Sequence, residues 1–207
     1  MLIKWIVCDV PEDKKQQFSD AQEKWKPINK INGFLGQIGG WDIDTPTKAC
    51  VISFWKDHSS YQFFMEHKHD DIFKENEQQN TYENITVEIF EKNLNLSDTN
   101  ITQILKKPEI LRIAHCIVKE EKQNHFEDMQ KVIWNDGMSK VQGMLAGAFC
   151  KNNHTTYLVV SLWRNRDSHQ KYVSNTFPLL VEQSKVKDDL VQFEGTLVEL
   201  DRDWSVI

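Results

Sequence analysis

The chain has 207 residues, 40% of them hydrophobic and 27% charged, with a net charge of −6. That composition suits one or two globular domains with a sizeable core. Acidic and basic residues are interspersed without the basic block of a nucleic-acid-gripping face, and no apolar run approaches the ~18 residues of a membrane span.

The N-terminus, Met1-Leu2-Ile3-Lys4-Trp5, lacks the basic stretch, apolar run and cleavage site of a signal peptide, so a cytoplasmic setting is expected. There Cys8, Cys50, Cys116 and Cys150, which form no CxxC pair and lie on apolar, strand-like segments, read as buried free thiols. The Asn-x-Ser/Thr tripeptides at Asn84, Asn95, Asn100 and Asn153 then carry no glycosylation.

In chain order, a strand is expected over residues 2–8, and Pro11 suits the first turn of the helix that follows. That helix carries Phe18, Ala21, Trp25 and Ile28 on one face, and Pro27 ends or kinks it. Strands over 34–41 and 48–55 are joined by the turn-rich Asp42-Ile43-Asp44-Thr45-Pro46. A second helix begins near Ser59-Ser60 with Tyr61, Phe64, Met65 and Ile72, and a last strand covers 85–90. Residues 92–109, polar and closed by Pro108, read as a linker with a short helical turn over 101–105.

The order then repeats. A strand is expected over 113–118, and a helix carries Phe126, Met129 and Ile133 before Asn135-Asp136-Gly137 breaks it. Lys151-Asn152-Asn153 is the next turn. A second helix starts near Asp167-Ser168, carries Tyr172 and Val173 and breaks at Pro178; the last strand covers 191–200. Residues 4–91 written above 112–202 match in order. Cys8 falls over Cys116 and Phe18 over Phe126. After a short insertion in the second copy, Gly33-Phe34-Leu35-Gly36 falls over Gly143-Met144-Leu145-Ala146. Val51-Ile52-Ser53-Phe54-Trp55 falls over Val159-Val160-Ser161-Leu162-Trp163, Ser60 over Ser168, and Val87-Glu88-Ile89 over Val198-Glu199-Leu200.

The fold class is therefore α+β: tandem ferredoxin-like βαββαβ repeats over 1–91 and 110–207, joined by a linker over 92–109. Each repeat puts both helices on one sheet face. The apolar face left bare must be covered, and two copies in one chain supply a second sheet for it, an internal pseudo-dimer.

Gly33-Phe34-Leu35-Gly36, Phe54-Trp55-Lys56-Asp57-His58-Ser59-Ser60-Tyr61, Phe64-Met65-Glu66-His67-Lys68-His69 and the second copy's Leu162-Trp163-Arg164-Asn165-Arg166-Asp167-Ser168 resemble the dimeric α/β-barrel superfamily, especially its antibiotic biosynthesis monooxygenase-like group. The resemblance covers nearly the whole chain apart from the linker and the C-terminal tail. It implies a substrate pocket between sheet and helices, and a chemistry such as cofactor-free oxygenation of quinols or polyketide aromatics. The haem-degrading branch of that group uses an Asn in strand one and a Trp and a His in helix two. Strand one here has no Asn, the Trp position falls on Phe64 and the His position near Lys74, so haem degradation is not expected.

Histidine is the natural candidate for acid–base work, yet none falls over another in the repeat. His58 meets Arg166, His67 meets Asn175, His69 meets Phe177, and His169 meets Tyr61. A site in one copy is expected rather than a duplicated one. The first copy, richer in His and Trp around the pocket, is the candidate: Trp25, Trp41, Trp55, Tyr61 and Phe64 as ligand-binding walls, and His58 or His69 as the catalytic polar group. Trp55 and Trp163 are retained in both copies, which favours packing for them, whereas Trp25 and Trp41 lack Trp counterparts. His67 and His69 point about 200° apart on a helix. Glu66 and His69 share a face but lack the further ligands a carboxylate-bridged metal site needs, so no metal is expected and this stretch reads as a polar helix end. His115, on one face with Ile113 and Ile117, is a structural histidine or a pocket residue. Phosphate-binding loop, nucleophile elbow and HExxH motifs are absent from the sequence, and Gly39-Gly40 suits a strand bulge.

Three readings follow. The first is a cofactor-free monooxygenase acting on an aromatic or quinol-like molecule; the second, a non-catalytic binding or sensing module for such a molecule; the third, a structural protein with a filled core. A small aromatic ligand is the expected partner, with no nucleic acid and no membrane, and further pairing with another chain stays open.

Overall fold

The computed structural model describes residues 1–152 and 155–207. Asn153 and His154, with the tripeptide and part of the turn assigned to them above, lie outside the described residues. The chain divides into two compact units, Met1–Ile89 with Val198–Ile207, and Phe90–Leu197.

The first unit is built on β1 (Leu2–Asp9), β2 (Phe34–Asp42) and β3 (Lys48–Trp55), with β3 antiparallel to both neighbours. Its helices are α1 (Lys15–Glu23), a 3-10 turn at Lys26–Lys30, α2 (His58–His67) and α3 (His69–Asn76). Pro27 sits in that 3-10 turn, where the lost N–H and fixed φ end α-helical pairing. Asp57 caps α2, its Oδ1 accepting from the Ser60 backbone N–H at 2.8 Å and from the Ser60 hydroxyl at 2.7 Å. The helix breaks at Lys68 (φ −134°) and restarts as α3.

The second unit repeats this plan with β5 (Ile110–Val118), β6 (Met144–Lys151) and β7 (Thr156–Trp163), β7 lying between the other two. Its helices are α4 (Gln123–Met129), α5 (Asn135–Ser139), α6 (Arg166–Asn175), α7 (Phe177–Ser184) and α8 (Val186–Asp189). Asn165 caps α6 as Asp57 caps α2, with Ser168 N–H at 3.0 Å.

The remaining strands, β4 (Asn84–Asn95) and β8 (Leu190–Val206), are longer than the sequence suggested. The end of β8 completes the first unit by pairing with β2, from Asp42↔Val198 to Gln37↔Val206. The end of β4 pairs with β6 in the second unit, from Glu91↔Lys151 to Asn95↔Ala148. Within the first unit the strands follow the order β1-β3-β2-β8, and within the second β5-β7-β6-β4. The fold is α+β, two tandem βαββαβ repeats of the dimeric α/β-barrel type.

Residues expected to form a linker over 92–109 differ from that description. Residues 92–95 continue β4, and Leu96, Ile101, Ile104 and Leu105 are buried. The Leu96 N–H donates to Gly147 O at 2.9 Å and the Glu109 N–H to Trp163 O at 3.1 Å. The polar residues between these apolar ones mask the anchoring. Asn135-Asp136-Gly137 likewise does not break the chain but opens α5. Gly137 serves close packing there, since a Cβ on it would lie 2.3 Å from the Leu180 side chain. Between α4 and α5 runs a π-helical segment, Gln130–Trp134, which accommodates the insertion seen in the second copy.

In the first unit, Ala49, Val51 and Trp55 of β3 face the helices against Phe18, Ile28 and Phe64. The alternate residues Cys50, Ile52 and Phe54, and Ile3 of β1, are fully buried too, so neither sheet face is left bare. All four cysteines are buried, and none is in a disulfide. Among the described residues no helix is long and apolar enough to cross a membrane.

Candidate functional site

Each unit holds a cavity between its sheet and its helices. In the first unit it measures about 360 Å³, in the second about 910 Å³. The walls correspond position by position: Lys4 and Arg112 on the first strand of each repeat, Ser53 and Ser161, Tyr61 and His169, Phe64 and Tyr172, Gln22 and Gln130. In both, a fully buried tryptophan donates its indole N–H to the serine two residues earlier, Trp55 to Ser53 at 3.2 Å and Trp163 to Ser161 at 2.9 Å. The next helix lays two rings on that tryptophan. Tyr61 and Phe64 stand 5.6 and 5.0 Å from Trp55, and His169 and Tyr172 stand 5.3 and 4.9 Å from Trp163.

The second cavity combines apolar walls with a few convergent polar groups, the usual make-up of a small-molecule site. Arg112 brings a permanent positive charge to it; its Nη1 donates to Thr196 O at 3.5 Å and its guanidinium lies 5.8 Å from the Phe193 ring centre. Burial, and then the Arg112 charge, draw the His169 pKa down to about 4, so the imidazole is a neutral base at neutral pH. Burial lifts the Tyr172 phenol well above its ordinary range and the Cys116 thiol to about 12, which leaves both protonated.

Three buried polar atoms on this wall have no hydrogen-bond partner: Gln130 Oε1, Trp134 Nε1 and His169 Nε2. Their residues are only 3, 7 and 5% exposed. A buried polar atom left unpaired is costly and rare enough to need a reason. Gln130 and Trp134 bound the π-helical segment, a helix type that recurs at functional sites.

The first cavity is smaller and its polar groups are more fully paired. Trp25 Nε1 donates to Gln78 Oε1 at 2.6 Å, and Gln78 Nε2 donates to Gln22 Oε1 at 2.9 Å. Lys4 is buried with its Nζ 5.6 Å from the Tyr61 ring centre, and burial lowers its pKa to about 8. Gln37 Nε2 is unpaired.

Of the residues singled out from sequence, Trp25, Trp55, Tyr61, Phe64 and His69 line the first cavity. His69 lies 5.6 Å from the Trp25, Phe64 and Phe73 rings, so it turns inward from the polar helix end expected for it. His58 is exposed at the first turn of α2. Trp41 packs instead against Phe18 and Trp204, at 5.8 and 5.2 Å, with the Lys15 ammonium 4.6 Å from its ring centre. His115 stands edge-on to Phe90 at 6.1 Å. Among the described residues no group of three or more His, Cys, Asp or Glu is placed to hold a metal.

The larger cavity, in the second copy, is what sequence reasoning passed over. Trp25 does have a counterpart there: it packs on His69 as Trp134 packs on Phe177, at 5.6 and 5.8 Å, the π-helical insertion having displaced the numbering. The signal available in sequence was Gln22 falling in register with Gln130, two glutamines on helix faces otherwise apolar.

Residues 2–90 match the family described as "Domain of unknown function (DUF4937)". The "Uncharacterized protein YdbC" of Bacillus subtilis (strain 168) is 39% identical over 94 residues, which span 44% of this chain and 79% of that protein. Three solved structures are similar over nearly the whole length. A "Putative monooxygenase" of Fusobacterium nucleatum superimposes with a TM-score of 0.77 at 15% identity, over 96% of this chain and 91% of that one. Another so named, of Lactobacillus acidophilus NCFM, gives 0.71 at 14% identity, over 99% and 95%. An anthrone oxidase-like protein gives 0.63 at 12% identity, over 97% and 91%. At these identities the likeness is one of fold.

Proposed function

The chain belongs to the family described as a domain of unknown function, DUF4937, and on that premise we propose that its second unit binds a planar aromatic molecule bearing a phenolic or enolic oxygen and oxygenates it with dioxygen. One observation carries this reading: a cavity of about 910 Å³ joins the Arg112 charge to three buried, unpartnered polar atoms on Gln130, Trp134 and His169. Single atoms of this kind also occur away from the cavities, on Trp204, Asn76 and Asp189, but here three line one cavity, and a ligand that completes their hydrogen bonds accounts for all three.

The chemistry follows from the residues. His169 Nε2, neutral and unpartnered, takes a proton from the activated carbon or hydroxyl of the substrate as the anion forming beside it offsets the burial and the Arg112 charge that otherwise disfavour the imidazolium. Arg112 stabilises the resulting enolate or phenolate in a water-poor site. That electron-rich anion reduces dioxygen itself. A C–O bond forms, the O–O bond breaks, and a CH2 group with O2 becomes a C=O group with one water. Solved proteins of this fold named as monooxygenases and as anthrone oxidase-like support the reaction class, by analogy of fold. Four buried cysteines outside any disulfide support a reducing, cytoplasmic setting.

The test is oxygen uptake with 1,8-dihydroxyanthrone as probe. The reading expects one O2 consumed per molecule converted to the anthraquinone, and a rate lower by about 100-fold in Arg112→Met and in His169→Phe. Uptake no faster than in buffer, or unchanged in both variants, would sink it.

A further inference from the structure

The first unit contains, built into its own chain, what the second unit lacks. Gln78 follows Glu77, which has a left-handed φ of 54° at the end of α3. Val186 follows Lys185, with φ 51°, at the end of α7. Gln78 and Val186 therefore occupy the same place in the two repeats, and each lines its own cavity. In the first unit the Gln78 carboxamide accepts from the Trp25 indole N–H and donates to the Gln22 carbonyl oxygen. In the second unit the corresponding indole N–H, on Trp134, and the corresponding oxygen, on Gln130, are both unpaired, and Val186 has nothing to offer them.

We infer that the ligand of the second cavity does what the Gln78 side chain does in the first: it presents a hydrogen-bond acceptor to Trp134 Nε1 and, directly beside it, a donor to Gln130 Oε1. The ligand class is thus an aromatic lactam, or a fused aromatic with a hydroxyl beside a carbonyl. Gln78 acts as an internal plug that satisfies the first cavity, and the change to Val at 186 leaves the second open to an outside molecule. This inference rests on the second cavity being a ligand site and narrows what that site selects.

Three bicyclic probes of nearly equal size separate the possibilities by calorimetric titration of the full chain. 2-Quinolinone carries an N–H beside a C=O, coumarin replaces the N–H by a ring oxygen, and naphthalene has neither. The expected result is 2-quinolinone binding at least about tenfold tighter than coumarin, because coumarin leaves Gln130 Oε1 unpaired against another acceptor. Gln130→Leu brings the two within about twofold of each other. Val186→Gln, which restores the plug, removes 2-quinolinone binding while thermal unfolding shows the chain still folded. Equal affinities in the native chain, or a preference that survives Gln130→Leu, would overturn the inference and leave an aromatic-binding cavity standing. No binding of any of the three at millimolar concentration would overturn the cavity reading together with it.

Discussion

Ser168 occupies the space a side chain on Gly143 would need: a Cβ added to Gly143 would lie 2.3 Å from the Ser168 Oγ. Gly33 and Ser60 repeat the relationship at 2.1 Å. Both glycines have positive φ, 96° and 86°, and both pass their carbonyl to the chain entering the next helix, Gly143 O accepting from the Arg164 N–H at 2.8 Å and Gly33 O from the Lys56 N–H at 2.7 Å. Gly143→Ala and Gly33→Ala are each expected to destabilise the chain by about 2 kcal/mol or more, from left-handed strain and steric conflict together. Adding Ser168→Ala to Gly143→Ala removes only part of the steric conflict, because the Cβ at 168, 2.5 Å from the added one, remains. Denaturant titration checks this; a change within about 0.5 kcal/mol would contradict it.

His169 sets a pH dependence. Its pKa is about 4 folded against an ordinary 6.5, so the unfolded chain binds more protons between those values. Its contribution to stability is intact above pH 6.5, falls as pH drops toward 4, and is level below that, an effect of up to about 3 kcal/mol. His169→Phe should flatten that interval of the stability–pH curve. An identical slope in the variant would contradict the buried neutral imidazole.

Lys4 gives the opposite test. Its pKa, about 8 against 10.5, means that burying the ammonium opposes folding below pH 8 and that this opposition fades as pH rises to 10.5. Lys4→Met is therefore expected to stabilise the chain at pH 7, by up to about 3 kcal/mol, and to confer no gain at pH 11. Loss of stability at pH 7 would show that the amine has a partner in solution that offsets its burial.

The cysteines provide a simple check. Burial pushes the Cys8 and Cys116 thiols to about 12 and Cys150 higher still. At pH 8 none of these three should react with a thiol-exchange reagent on the timescale of the unfolded chain. Rapid native-state modification would contradict their placement in the core.

The repeat was legible because its marks are local. Gly33 with Ser60 and Gly143 with Ser168, the Ser-x-Trp pairs and the Asp57 and Asn165 caps each obey short-range geometry that leaves a fixed spacing. The ends of β4 and β8 were not legible, since pairing with β6 and β2 depends on residues far apart in sequence. The candidate site divides the same way. Periodicity put Trp25, Trp55, Tyr61 and Phe64 on their helices and strand, and the family resemblance put the pocket beside them, whereas Trp41 has the same alternation and turns out to face Trp204, a residue far off in sequence. The second cavity was hidden by the π-helical segment, which shifts Trp134 out of register with Trp25. It was hidden also by Val186, whose significance appears only beside the hydrogen bonds of Gln78.

The most direct test of a ligand site in the second unit is thermal unfolding under anaerobic conditions with 1,8-dihydroxyanthrone, comparing the native chain with Val186→Trp. The indole takes up part of the second cavity, at the position of the Gln78 plug in the first, and leaves the first untouched. A ligand that binds the folded state raises its apparent stability by mass action. The account predicts a concentration-dependent rise in Tm for the native chain and none for Val186→Trp. An equal rise in both, or no rise in the native chain, would contradict it.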